Sequence, residues 1–148
     1  MLTMTKYSVT ARKTNSSLQV DAHTRGIHNT LDEPKANGGT NTGLNPVELE
    51  LGSLGASLQE TARKLSASNN FNYQKLEISL EGDLDFRGFM GDPNVRNGFQ
   101  EIRISFNFET SQSKEECQKF VELVEKSSPI FDTLVNGTNV IIDNIIKD

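Results

Sequence analysis

Thiol chemistry is almost missing from this chain. Among its 148 residues there is one cysteine, Cys117, so no disulfide can form within a single copy. Histidine is nearly as scarce. His23 and His28 together with one cysteine cannot complete a structural zinc site, and neither a metal nor a cofactor is expected. Positive charge is in deficit as well: 15 Lys and Arg stand against 20 Asp and Glu, a net charge of −5. With no basic stripe to interrupt that balance, a phosphate backbone is repelled, which sets nucleic acid aside as a partner. Long apolar runs are also absent. No stretch approaches the ~18 residues that a membrane span needs, and the start MLTMTKYSVT lacks the apolar centre of a secretory signal. The expectation is a cytoplasmic, soluble protein with no membrane partner. The sequons Asn15-Ser16-Ser17 and Asn136-Gly137-Thr138 then carry little meaning.

The length fits a single domain, residues 1–148, with enough chain to bury a core. Its best-marked element runs from Asn45 to about Ser66, NPVELELGSLGASLQETARKLS. Asn45 suits an N-cap, Pro46 suits the first helical position, and Glu48 completes an N-x-x-E variant of the capping box. Val47, Leu51, Leu54, Leu58, Ala62 and Leu65 recur at spacings of three and four, the stripe that a helix buries. Leu49, Gly52, Ser53 and Ala56, with Gly55 beside them, make a second, small-residue face. Two glycines give up about 1 kcal/mol each of helix propensity, so the helix is expected to pack on more than one side.

Upstream, Tyr7 to Leu31 reads as a three-stranded antiparallel meander: YSVTARK, then SLQVDA, then a run through Arg25, Ile27 and Asn29. Asp32 to Leu44, DEPKANGGTNTGL, is a loop by composition with almost nothing to bury. Glycines before a helix N-terminus raise the possibility of a phosphate loop. No Lys-Ser/Thr pair follows the last glycine, and a plain connection is the better reading. Downstream, Leu76, Ile78 and Leu80 alternate with polar residues, as do Ile102, Ile104, Phe106 and Phe108, giving two half-buried strands. Between them, Asp83 and Asp85 have the spacing of a calcium loop, but Arg87 stands at the next ligand position and no glutamate closes the series, so turn chemistry explains them better. Ser113 and Glu116 cap a second helix with Cys117, Phe120, Val121 and Val124 on its apolar face. That spacing extends to Ser128, and Pro129 breaks the helix beyond it. Asn136-Gly137 is a turn signal, and Val140 to Ile146 has the β-branched composition of a last strand. The order is three strands, a long helix, two strands, a helix and a strand, an α+β domain with helices against antiparallel sheet.

Three stretches in register carry a resemblance: DEP…GG…GLNPVELELGSLGASL, GDLDFRGFMG…GF…IRISF, and VEKSSPIFDTL. Together they resemble the OsmC/Ohr family, bacterial proteins of osmotic induction and organic hydroperoxide resistance, over roughly Arg25 to Val140. The resemblance implies an intertwined homodimer with the long helices between two sheets, and a thiol peroxidase in which one cysteine attacks the hydroperoxide, a second resolves it as a disulfide, and an Arg and a Glu assist. By motif, the first cysteine falls at Ser57, twelve residues after Asn45, and the second at Ser128, immediately before Pro129. The assisting arginine falls at Arg25, and the acidic residue at Val47, with Glu48 next to it.

Both sulfurs are therefore replaced by hydroxyls, which form neither sulfenic acid nor disulfide. Cys117 lies eleven residues before Ser128, about 16 Å along one helix, and has two readings, a small core hydrophobe or a relocated redox centre. A hydrolase built on Ser57 has little support, since G-x-S-x-G fails at Gln59 and a base would have to be His23, His28 or Glu50. The simpler role for Ser57 and Ser128 is to fill the cysteine volume and bond to backbone carbonyls or to each other. Arg25 is either in an ion pair or the holder of an anionic or peroxide-like head group. The leading expectation is a stress-associated homodimer that keeps the family fold and an apolar pocket for a small hydrophobic or peroxide-like ligand without the two-cysteine chemistry. A hydroperoxide reductase acting through Cys117 and a purely partner-binding protein are the alternatives.

Overall fold

The computed structural model describes residues 3–148. Three strands, β1 (Thr10–Lys13), β2 (Val20–Thr24) and β3 (Ile27–Leu31), form an antiparallel sheet in that order. The 21-residue helix α1 (Pro46–Ser66) follows, then β4 (Lys75–Leu84), the single turn α2 (Phe86–Phe89), β5 (Phe99–Glu109), and the helices α3 (Lys114–Ser127) and α4 (Pro129–Asn136). The elements make an α+β protein of two compact units, the first ending at Glu50 and the second running from Leu51.

In the first unit, β2 and β3 are joined by a two-residue turn, Arg25-Gly26, whose φ angles of +44° and +79° match the right-handed twist of a tight hairpin. Arg25 thus belongs to a turn, not to the third strand where the sequence pattern puts it. The loop after β3 also differs from expectation. It has a buried group at its centre: Asp32 is 2% exposed. Its carboxylate accepts from the amides of Glu33 (2.8 Å), Thr40 (3.0 Å) and Thr42 (3.2 Å) and from the hydroxyls of Thr40 (2.5 Å) and Thr42 (2.7 Å). These donors hold the carboxyl well below the usual carboxylate range, the threonine hydroxyls contributing most. Chain packs so closely here that a Cβ on Gly39 would collide with the Glu33 carbonyl oxygen.

In the second unit, β4 and β5 pair antiparallel from Lys75↔Glu109 to Leu84↔Phe99, with an irregularity at Asp83/Leu84. Leu76, Ile78, Leu80, Ile102, Ile104, Phe106 and Phe108 all turn toward the core, where Leu54, Leu58 and Ala62 of α1 meet Phe71 and Phe120 and Val124 of α3. Phe71 stacks on Phe120 with centroids 4.2 Å apart. Gly55 admits Leu80, whose Cδ1 would lie 2.8 Å from a Cβ there. The rest of the small-residue face, Gly52, Ser53 and Ala56, is exposed.

Two expectations are corrected in this unit, and one holds. The aspartates at calcium-like spacing serve turn and ion-pair chemistry, as the sequence reads: Asp85 caps α2 and binds Arg87, and Asp83 binds Arg103. A further helix follows Pro129, because proline at the first position with Ser128 as N-cap starts α4 as it ends α3. Residues 137–148 form no strand. Val140, Ile141, Ile142, Ile145 and Ile146 are exposed, since β-branched composition yields a strand only when another strand is there to pair.

Candidate functional site

The helix α1 delivers its residues with a well-built start. The Asn45 side-chain oxygen accepts from the Glu48 amide at 2.7 Å, and the Glu48 carboxylate accepts from the Asn45 amide at 2.9 Å, a reciprocal box. The Asn45 side-chain amide also donates to Glu33 at 3.2 Å. Glu48 is therefore engaged in the helix cap. Val47 is half-buried beside it.

Three turns into α1, Ser57 meets Ser128, and the two hydroxyl oxygens are 2.8 Å apart. Ser128 is 1% exposed. It closes α3, its amide donating to the Val124 carbonyl, and opens α4, its hydroxyl accepting from the Phe131 amide at 3.2 Å. Of the roles open to these serines, bonding to each other is the one the structure displays. No imidazole belongs to the second unit, because both histidines lie on β2 and β3. Within its unit the pair lacks a histidine to take a hydroxyl proton, and two mutually bonded serines are poor nucleophiles.

Cys117 is half-buried on α3, packed against the core cluster. It also borders an open groove of about 590 Å³ lined by Phe106, Phe108, Lys114, Val121 and Glu122 among others. Arg25, in its exposed turn, makes no ion pair among the described residues. The residues that the resemblance singles out thus fall into three groups: a bonded serine pair, a capping glutamate and a turn arginine. Asp32 escapes a reading of the sequence. It stands in the DEP stretch ahead of Thr40 and Thr42, with no apolar periodicity to mark it as buried. No helix among the described residues is long and apolar enough to cross a membrane.

Comparison with known proteins bears on what this geometry is for. A hydroperoxide reductase of Mycoplasma genitalium is 27% identical over 135 residues, 90% of each chain. Among solved structures, an OsmC-like protein from Mycoplasma pneumoniae superposes with a TM-score of 0.78 at 23% identity, covering 88% of both chains. An organic hydroperoxide resistance protein from Legionella pneumophila gives 0.64 at 16% identity, over 88% of this chain and 91% of the other. These likenesses establish the fold. Residues 39–143 match the family model described as OsmC-like protein, and the chain belongs to that family.

Proposed function

We propose that this OsmC-like chain keeps the family's scaffold but not its two-cysteine hydroperoxide chemistry, and serves as a stress-associated binder of a small hydrophobic or peroxide-like ligand. The observation that carries this reading is the Ser57–Ser128 contact. The two positions that the family resemblance gives to cysteine stand side by side, and each holds a hydroxyl. Peroxide reduction by that route needs a thiolate to attack the O–O bond, a sulfenic acid to form, and a second thiol to expel water as the disulfide closes. Serine supports none of these steps. Arg25 and Glu48 then act as orienting or capping residues rather than as parts of a peroxidase.

The working form is a homodimer, continuous with the exposed small-residue face of α1 and the exposed apolar residues after Val140. The protein works in the cytoplasm and requires no cofactor.

The test is consumption of cumene hydroperoxide with dithiothreitol by the native chain, Cys117→Ala and the double variant Ser57→Cys/Ser128→Cys. The native chain and Cys117→Ala should be no faster than buffer. The double variant, with sulfurs at adjoining positions, should gain turnover and form a disulfide between the two introduced thiols on oxidation. Turnover by the native chain that disappears in Cys117→Ala would replace this reading with a one-cysteine reductase, which the groove beside Cys117 would then serve.

A further inference from the structure

The two histidines, too few for a structural zinc site when counted with Cys117, gain a third partner through strand register. His23 of β2 pairs directly with His28 of β3, so both rings rise from the same face of the sheet. Asp21 lies two residues before His23 on β2 and so shares that face. Its carboxylate oxygen is 3.2 Å from Nδ1 of His23 and 3.0 Å from Nδ1 of His28. One ligand atom from each of the three residues falls within 4.8 Å of the others.

The two Asp21–histidine separations are close to what a metal requires. Tetrahedral ligands at the usual zinc–nitrogen and zinc–oxygen distances of about 2.0–2.2 Å stand about 3.3 Å from one another. The set is also chemically apt: imidazole and carboxylate suit zinc, copper and nickel. A simple hydrogen-bonded trio accounts for the contacts less completely. His28 Nδ1 is bonded to the carboxylate, while Nδ1 of His23 is buried and meets the same carboxylate at 3.2 Å without the alignment of a good hydrogen bond. The rings stack with centroids 5.1 Å apart and planes inclined at 26°. The broad χ2 torsion leaves the exposed His28 ring room to reorient toward a shared ion.

We propose that Asp21, His23 and His28 form a three-ligand site for a first-row divalent cation of the zinc, copper or nickel kind, with a fourth position open to water. The site belongs to the first sheet and stands apart from the question of peroxide chemistry. The charged residue beside it on β1 is Arg12, in register with Asp21. Arg12 works against the cation and sets the affinity below that of an all-anionic cage.

Zinc added to untagged full-length protein tests this in two ways. Calorimetry should give one zinc per chain, weakened by about tenfold or more in His23→Gln and in His28→Gln, at least the loss seen for outer-shell partners. In the native protein, ¹⁵N imidazole spectra should show the signals of both histidines shifting together and saturating at one equivalent, a readout independent of whether any variant folds. Zinc that leaves both imidazole signals unmoved overturns the proposal, as does binding of equal strength in the His23→Gln/His28→Gln double variant.

Discussion

Asp32 holds more of the first unit together than any other single side chain described. Five donors from three residues converge on one carboxylate, so their satisfaction depends on its charge. Because the folded carboxyl titrates below the unfolded one, near 3.9, its contribution is fully present above that value and is lost as pH falls toward the folded value. Asp32→Asn should therefore melt below the native protein at pH 7, and the gap should narrow progressively as pH falls below about 4, since a protonated aspartate resembles asparagine in losing its charge. Thermal unfolding at a series of pH values checks this, and a gap independent of pH would count against it. Nothing local announces such a residue. It sits in a stretch of glycines, threonines and asparagines whose composition reads as exposed loop, and its burial depends on partners eight and ten residues away. The same donors bear on the phosphate-loop question, because the amides of Thr40 and Thr42 are turned inward onto Asp32.

Among elements, α1 was legible almost to the residue, because capping chemistry is local. Asn45 and Glu48 satisfy each other's amides without help from the rest of the chain. Asn45→Ala should cost about 0.5–2 kcal/mol, measured by denaturant unfolding, with part of the loss arising from the Glu33 contact. The hairpin β4–β5 was legible for a related reason, since alternation is a property of consecutive residues. Two elements were not. The helix α4 begins with Ser-Pro, a valid N-cap and first-turn pair, but the same proline terminates the preceding helix, and the stop signal hides the start. The expected strand at 140–146 has suitable residues and no strand beside it, a fact about the surroundings that composition does not hold. The serine pair lies between these cases. The resemblance assigns Ser57 and Ser128 to the family's cysteine positions, but only the fold brings residues 71 apart to 2.8 Å.

For the whole molecule, the proposed homodimer is open to a direct test. Gly52 and Ala56 lie exposed on α1, and the glycine lowers the helix's propensity. Sedimentation velocity should find a particle of two 16.4 kDa chains, and Ala56→Arg should shift it to one chain without unfolding. A native protein that sediments as a single chain over a wide concentration range would remove the dimer from the proposed function.

The segment beyond Gly137 has a further consequence for the newly made chain. Val140, Ile141 and Ile142, then Ile145 and Ile146, have the make-up of a cross-β seed, short, β-branched and free of proline. Only Asp143 and Asn144 divide the apolar triplet from the doublet, and Lys147 and Asp148 close the run. Asp143 has the place of a gatekeeper in that run: its charge would have to stack on copies of itself in any in-register fibril, which disfavours self-templating.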